Sequence, residues 1–207
     1  MFSTDSAIWK AIVKFAHNLG GTEDIIIKAK QDFDKLFARW NETQSEVKGK
    51  YKSEKLEKTL SWSNFYFWRD NLFCFFVLYL SGFRHAAIRE LRFYLEARVR
   101  SYYIDLMHQE MTFNCKVSIL KEVRWKNFRE LLKGLPKEKR KELKSFYGEL
   151  CDYVHLSEEA QTDATRDFGF NIALGLRFYE EDIKLLEKTF ECSRYLLLKS
   201  LEKPASF

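Results

Sequence analysis

The chain has 207 residues, with 19 Phe, 10 Tyr and 5 Trp but only 2 Pro and 8 Gly, and a net charge of +5 from 35 Lys and Arg against 30 Asp and Glu. So little proline and glycine excludes collagen-like and low-complexity chains, and leaves an all-β fold without the turn residues it needs between short strands. A hydrophobic share of 46% is enough for one sizeable core.

Helix boundaries can be read in chain order. Thr4-Asp5-Ser6 is placed to cap a helix over 7–19 that Gly20-Gly21 stops. Thr22, followed by Glu23 and Asp24, opens a second helix in which Ile26, Phe33, Leu36, Phe37 and Trp40 recur at helical spacing. Residues 41–60 are polar and rich in Lys and Glu; Val47 and Tyr51 lie nearly opposite Leu56 and Leu60 on one continuous helix, so the stretch reads as a linker or a solvated helix. It is the expected boundary between an N-terminal helical extension (1–60) and a main bundle (61–207).

Ser61 to Asn64 opens an aromatic helix that runs through Leu80 to Ser81-Gly82, and a long helix follows from about Phe83 to Gln109. Ser118 is expected to open a shorter helix through Trp125 and Phe128 that ends at Gly134. Pro136 suits the first residue of a helix reaching about His155, because its missing N–H has no intrahelical partner there. A polar stretch, 156–167, precedes a last helix over roughly 170–202, with a break near Gly175. No repeat and no strand-like alternation is present. The expected fold is all-α, an up-and-down bundle of about four to five long helices with the N-terminal extension.

Two segments are basic: residues 48–58, with five lysines against Glu54 and Glu57, and residues 133–144, where Lys133, Lys137, Lys139, Arg140, Lys141 and Lys144 outnumber Glu138 and Glu142. The second segment is the candidate nucleic-acid contact, although it lacks interleaved aromatics on which bases stack. Cys74, Cys115, Cys151 and Cys192 are far apart in sequence and show no zinc-ligand spacing. Cys74, inside the apolar run, reads as a small buried hydrophobe. No metal site and no cofactor is expected. The most apolar run, Leu72 to Leu80, is far short of the ~20 residues of a membrane span, and the start of the chain lacks a basic region before an apolar one. The expectation is a soluble protein of a reducing cytoplasm.

The candidate site comes from polar residues where a helix is otherwise apolar. On the long helix, Ile88, Leu91, Leu95, Val99, Tyr102 and Leu106 form a stripe, Arg92 falls inside its arc, and Glu96 follows one turn later. A guanidinium in such a place needs a partner, either Glu96 or a group on a facing helix. On the helix ending at His155, Tyr147, Cys151 and His155 run along one flank at i, i+4 and i+8. The candidate cluster is Arg92, Glu96, Tyr147 and His155.

The run Leu91-Arg92-Phe93-Tyr94-Leu95-Glu96 and the later block Tyr147 to His155, YGELCDYVH, resemble two blocks of divergent archaeal and bacterial members of the HEPN superfamily of helical bundles. The resemblance covers roughly residues 64–202. It implies a four- to five-helix bundle, often dimeric, in settings of RNA cleavage, toxin–antitoxin pairs and host defence. Active members carry an Arg separated from the catalytic His by four to six residues, that is, five to seven positions before it. The corresponding positions before His155 hold Gly148, Glu149 and Leu150, so the catalytic Arg is absent.

Three functions follow as expectations. The missing Arg favours a non-enzymatic, HEPN-like interaction module that contacts RNA or a protein partner. The alternatives are a metal-independent ribonuclease with a rearranged Arg92/His155 site, and a structural protein that assembles with copies of itself.

Overall fold

The computed structural model describes residues 10, 13–14, 23–81, 83–123, 126–153 and 179–202. Of the helix expected over 7–19, only residues 10, 13 and 14 fall among them, and all three are helical. His155, the polar stretch 156–167 and the break near Gly175 lie outside the described residues.

The described residues form an all-α fold with nine helices and no strand: α1 (Glu23–Lys50), α2 (Ser53–Glu57), α3 (Leu60–Tyr66), α4 (Trp68–Leu80), α5 (Arg84–Met107), α6 (Phe113–Val123), α7 (Phe128–Leu131), α8 (Lys137–Asp152) and α9 (Tyr179–Leu201). The count exceeds the expected four to five because three expected segments are divided. Residues 41–60 hold the end of α1 and all of α2 rather than a linker. Val47 and Leu56 are both buried there, since they belong to different helices and need not share a face. The aromatic helix is interrupted at Phe67, where the Phe67 N–H bonds to the Asn64 carbonyl. Ser118 lies inside α6 and donates to the Asn114 carbonyl; the helix starts at Phe113, and α7 has its own cap, Asn127, whose side chain accepts from the Arg129 N–H.

Helix α5 is the spine. Leu60 and Ser61 pair with Asp105, Asn64 with Ser101, and Trp68 with Tyr94, so α3 and α4 run antiparallel to α5 as one interrupted helix. Helix α9 runs parallel to α5. Arg84 and Asp182 meet near their starts, and the Trp68 ring contacts both Tyr94 and Phe190, tilted to each, further along. Helix α1 runs parallel to α9, because Lys28–Glu180, Lys35–Glu187 and Arg39–Glu191 keep a constant separation of 152 residues. These exposed pairs guide alignment but add little stability. The core is one cluster, to which α1 contributes Ile26, Ala29, Leu36, Trp40 and Val47.

Burial covers most of the circumference of α5, because α9 packs on the flank carrying Arg84, Arg98 and Asp105. Cys74 is exposed, contrary to expectation. It projects from α4 on the side away from Leu72, Phe75, Phe76 and Tyr79, which fill the core.

Two buried carboxylates tie these helices through long-range polar contacts. Asp182, wholly buried, accepts from Arg84 Nε at 2.7 Å and Nη2 at 2.9 Å and from the Tyr79 hydroxyl at 2.7 Å. Asp105 caps α3 from another helix by accepting from the Leu60 and Ser61 N–H groups, and it also accepts from the buried Lys116 ammonium at 3.0 Å. Gly134 stops the segment before α8 with φ of 87°, and a Cβ there would collide with the Leu106 side chain. Pro136 is the residue just before the helix, its carbonyl accepting from the Arg140 N–H.

Two stability predictions follow. Gly134→Ala should lower the unfolding free energy by about 1–3 kcal/mol, from strain at positive φ plus the clash. Asp182→Ala leaves a buried guanidinium without its bidentate partner and should cost about 3–5 kcal/mol. That amounts to roughly 6–20 °C in a thermal melt, with part of the loss recovered by Arg84→Met together with Asp182→Leu. Equal melting of Asp182→Ala and the parent would contradict a structural role for the pair.

Candidate functional site

Arg92 and Glu96 stand one turn apart on α5, where residues four apart face the same way. Arg92 Nε donates to Glu96 Oε1 at 3.1 Å, and Arg100, one turn further, donates to Glu96 Oε2 at 3.1 Å. Tyr147 reaches the pair from α8. Its hydroxyl donates to Glu96 Oε1 at 2.6 Å and accepts from Arg92 Nη2 at 3.4 Å. Three of the four candidate residues therefore converge, and His155 lies outside the described residues.

Two cations share one carboxylate, so the cluster keeps one net positive charge. The side chains are partly open to solvent, 17% exposed for Arg92 and 12% for Glu96. The expectation that Arg92 is the buried guanidinium of this helix is thus corrected. Arg98 is the one fully buried, because α9 covers a flank of α5 beyond the apolar stripe.

Three residues of the site were not singled out in the sequence. Phe93 is 48% exposed, and its ring lies 5.8 Å from the Arg92 guanidinium carbon, while the Tyr147 ring lies 5.7 Å away. Phe128 of α7 stacks on Tyr147 with ring centroids 4.0 Å apart and planes 13° from parallel. Arg100 was readable as the i+4 neighbour of Glu96, and Phe93 as a bulky apolar residue off the stripe, whereas Phe128 carried no local signal. The result is a guanidinium held between aromatic rings, one of them facing solvent.

The basic candidates divide. Lys137, Arg140, Lys141 and Lys144 recur at i, i+3, i+4 and i+7, so they form one exposed stripe on α8, opposite the buried Leu143, Phe146 and Leu150. None of the four makes an ion pair among the described residues. Lys133 is exposed in the turn before α8. Lys139 leaves the group: it pairs with Glu142 at 2.6 Å, lies over the Tyr195 ring, and lines a separate cleft of about 230 Å³ against α9. Tyr147 follows Arg140 at i+7 and Lys144 at i+3, so the stripe borders the Arg92 cluster.

Burial, reinforced by the hydrogen bond to Glu96, holds the Tyr147 phenol well above its ordinary value. Tyr147 is thus a neutral donor rather than a base. Burial opposes the Arg92 charge, but the contacts with Tyr147 and Glu96 outweigh it, and the guanidinium stays firmly protonated. No group of three or more His, Cys, Asp and Glu side chains arranged to hold a metal occurs among the described residues, and no helix among them is long and apolar enough to cross a membrane.

No protein-family model, curated protein or solved structure matches the chain.

A phenol whose folded value is raised favours the folded state fully below the unfolded value of about 10, and that contribution is lost as pH rises through the folded value. Tyr102, pushed up to about 12 mainly by burial, acts in the same direction. Stability should therefore fall as pH rises from about 10 to 12. Tyr147→Phe should cost about 1 kcal/mol at pH 7 and flatten this alkaline decline, measured by urea denaturation at a series of pH values. An unchanged slope in the variant would contradict the role given to Tyr147.

Proposed function

We propose that the chain is a non-enzymatic, HEPN-like helical module that binds single-stranded RNA. The observation carrying this reading is the exposed stripe Lys137, Arg140, Lys141 and Lys144, without ion pairs among the described residues, running up to Tyr147, Arg92 and the exposed Phe93. Lysines on an open helix face neutralise successive phosphates and release counterions. An exposed aromatic ring beside a guanidinium supplies a stacking surface for a base. The resemblance of the blocks 91–96 and 147–155 to HEPN proteins supports the same choice of ligand and a defence or toxin–antitoxin setting. The exposed free thiols of Cys74 and Cys115 suit a reducing cytoplasm.

Binding is favoured over cleavage by the chemistry of the cluster. Arg92 is already engaged by Glu96 and Tyr147, and Tyr147 is held neutral, so neither offers a free base for the 2′-hydroxyl.

The test is fluorescence anisotropy with a labelled single-stranded RNA of mixed sequence, titrated at several salt concentrations, with the RNA then run on a denaturing gel. Four phosphate contacts predict a slope of about −3 in log affinity against log salt. Replacing Lys137, Lys141 and Lys144 together by Glu should abolish binding, and Phe93→Ala should weaken it roughly 5- to 150-fold. Intact RNA on the gel is expected; cleavage that disappears in Arg92→Ala would replace this reading with the ribonuclease. Absence of binding at low salt, together with salt-insensitive self-association, would favour the assembly protein instead.

A further inference from the structure

The buried charges of the described residues do not balance. Three cations are buried, Arg84, Arg98 and Lys116, against two carboxylates, Asp105 and Asp182. Asp182 holds Arg84, and Asp105 holds Lys116. Arg98 is left over.

Its position makes the imbalance costly. Arg98 is 0% exposed, and a guanidinium does not shed its proton in a protein. The rings of Phe65 and Tyr94 lie 5.5 and 5.7 Å from its central carbon. Ring contact of this kind screens the charge but leaves the N–H groups of the guanidinium plane unused. Neither Nε, Nη1 nor Nη2 has an acceptor among the described residues. Asp105, two turns along α5, is already taken: Oδ1 accepts from Leu60 and Lys116, and Oδ2 accepts from Ser61.

Three further buried side-chain donors on α3, α4 and α5, those of Ser61, Trp68 and Tyr94, also lack acceptors among the described residues. The Trp68 ring lies tilted against Tyr94 with centroids 4.8 Å apart, and Ser61 stands one turn before Phe65 on α3. The interior between α3, α5 and α9 is thus rich in donors and one negative charge short. A buried charge of this kind persists when it is paired and hydrogen-bonded.

We infer that the bundle binds one monovalent anion of the halide class against the Arg98 guanidinium, beside the Phe65 and Tyr94 rings. The charge selects the class: a single negative charge completes the balance, whereas phosphate or sulfate would bring a second charge that nothing buried offsets.

The test is a set of thermal melts of the full chain in sodium chloride, sodium bromide and sodium gluconate mixtures at constant ionic strength. Above the dissociation constant, each tenfold rise in halide should raise Tm by about 3–6 °C. Arg98→Met should melt at one temperature across the series, while Lys144→Met, on the exposed stripe, should keep the halide dependence. A bromide-soaked crystal of the unmodified chain should show an anomalous peak in the guanidinium plane of Arg98, which covers the case in which Arg98→Met fails to fold. A halide-independent Tm for the parent chain, or a water or protein oxygen at the guanidinium in place of bromide, would overturn the inference. RNA affinity does not enter these readouts, so the two proposals stand or fall separately.

Discussion

The bidentate contact between Arg84 and Asp182 fixes how the helices meet. Asp182 sits in the first turn of α9, where a carboxylate is favoured by the helix dipole, and Arg84 is the first residue of α5. Tyr79 joins them from the end of α4, and the Tyr153 ring, just past α8, lies 5.2 Å from the Arg84 guanidinium carbon. Residues from α4, α5, α9 and the end of α8 therefore meet at one ion pair. Burial alone would weaken the Arg84 charge, but its hydrogen bonds to Asp182 more than restore it, and the same carboxylate helps hold the buried Tyr79 phenol neutral. A buried ion pair contributes less net stability than apolar residues of similar volume would, so its principal effect here is to allow one alignment of α5 and α9.

With that alignment set, the remaining features of α5 follow from its periodicity. Arg84, Leu91, Arg98 and Asp105 recur every seven residues, all on the flank that α9 and α3 cover. Arg92, Glu96 and Arg100 recur every four on a different flank, which α8 covers only as far as Tyr147. One helix thus carries an internal line of charge and a surface line of charge, separated by the apolar residues Ile88, Leu95 and Val99, each wholly buried.

Local signals carried part of this into the sequence. Gly134 and Pro136 mark boundaries through their own backbone restrictions, and the pairing of Arg92 with Glu96 follows from one-turn spacing. Tyr147 was legible as a flank position because the periodicity of α8 is clean. Contacts between distant residues left no such trace. Nothing near Leu60 announces that its helix is capped by Asp105, 45 residues later, and nothing near Arg84 points to Asp182, 98 residues away. The break at Phe67 is equally nonlocal, since it lets Phe65 and Trp68 both turn into the core against Phe190. Cys74 shows the complementary limit: an apolar run longer than the buried face must leave some members outside, and composition does not say which.

The same geometry explains why the surface cluster is stiff enough to serve as a platform. A lone arginine on a helix face samples many rotamers, and ordering it on binding costs free energy. Here Glu96 holds one edge of Arg92, Tyr147 accepts from the other, and Phe128 packs flat on Tyr147, so the guanidinium is oriented before any ligand arrives. Glu96 also takes Arg100, which prevents it from neutralising Arg92 completely. The cluster therefore trades part of its positive charge for orientation, while the stripe on α8 keeps its charge and its side-chain freedom. Phosphate attraction suits the exposed lysines, and base stacking suits the oriented guanidinium and its neighbouring ring. The boundary between those two kinds of surface runs along the flank of α8 that joins Lys144 to Tyr147.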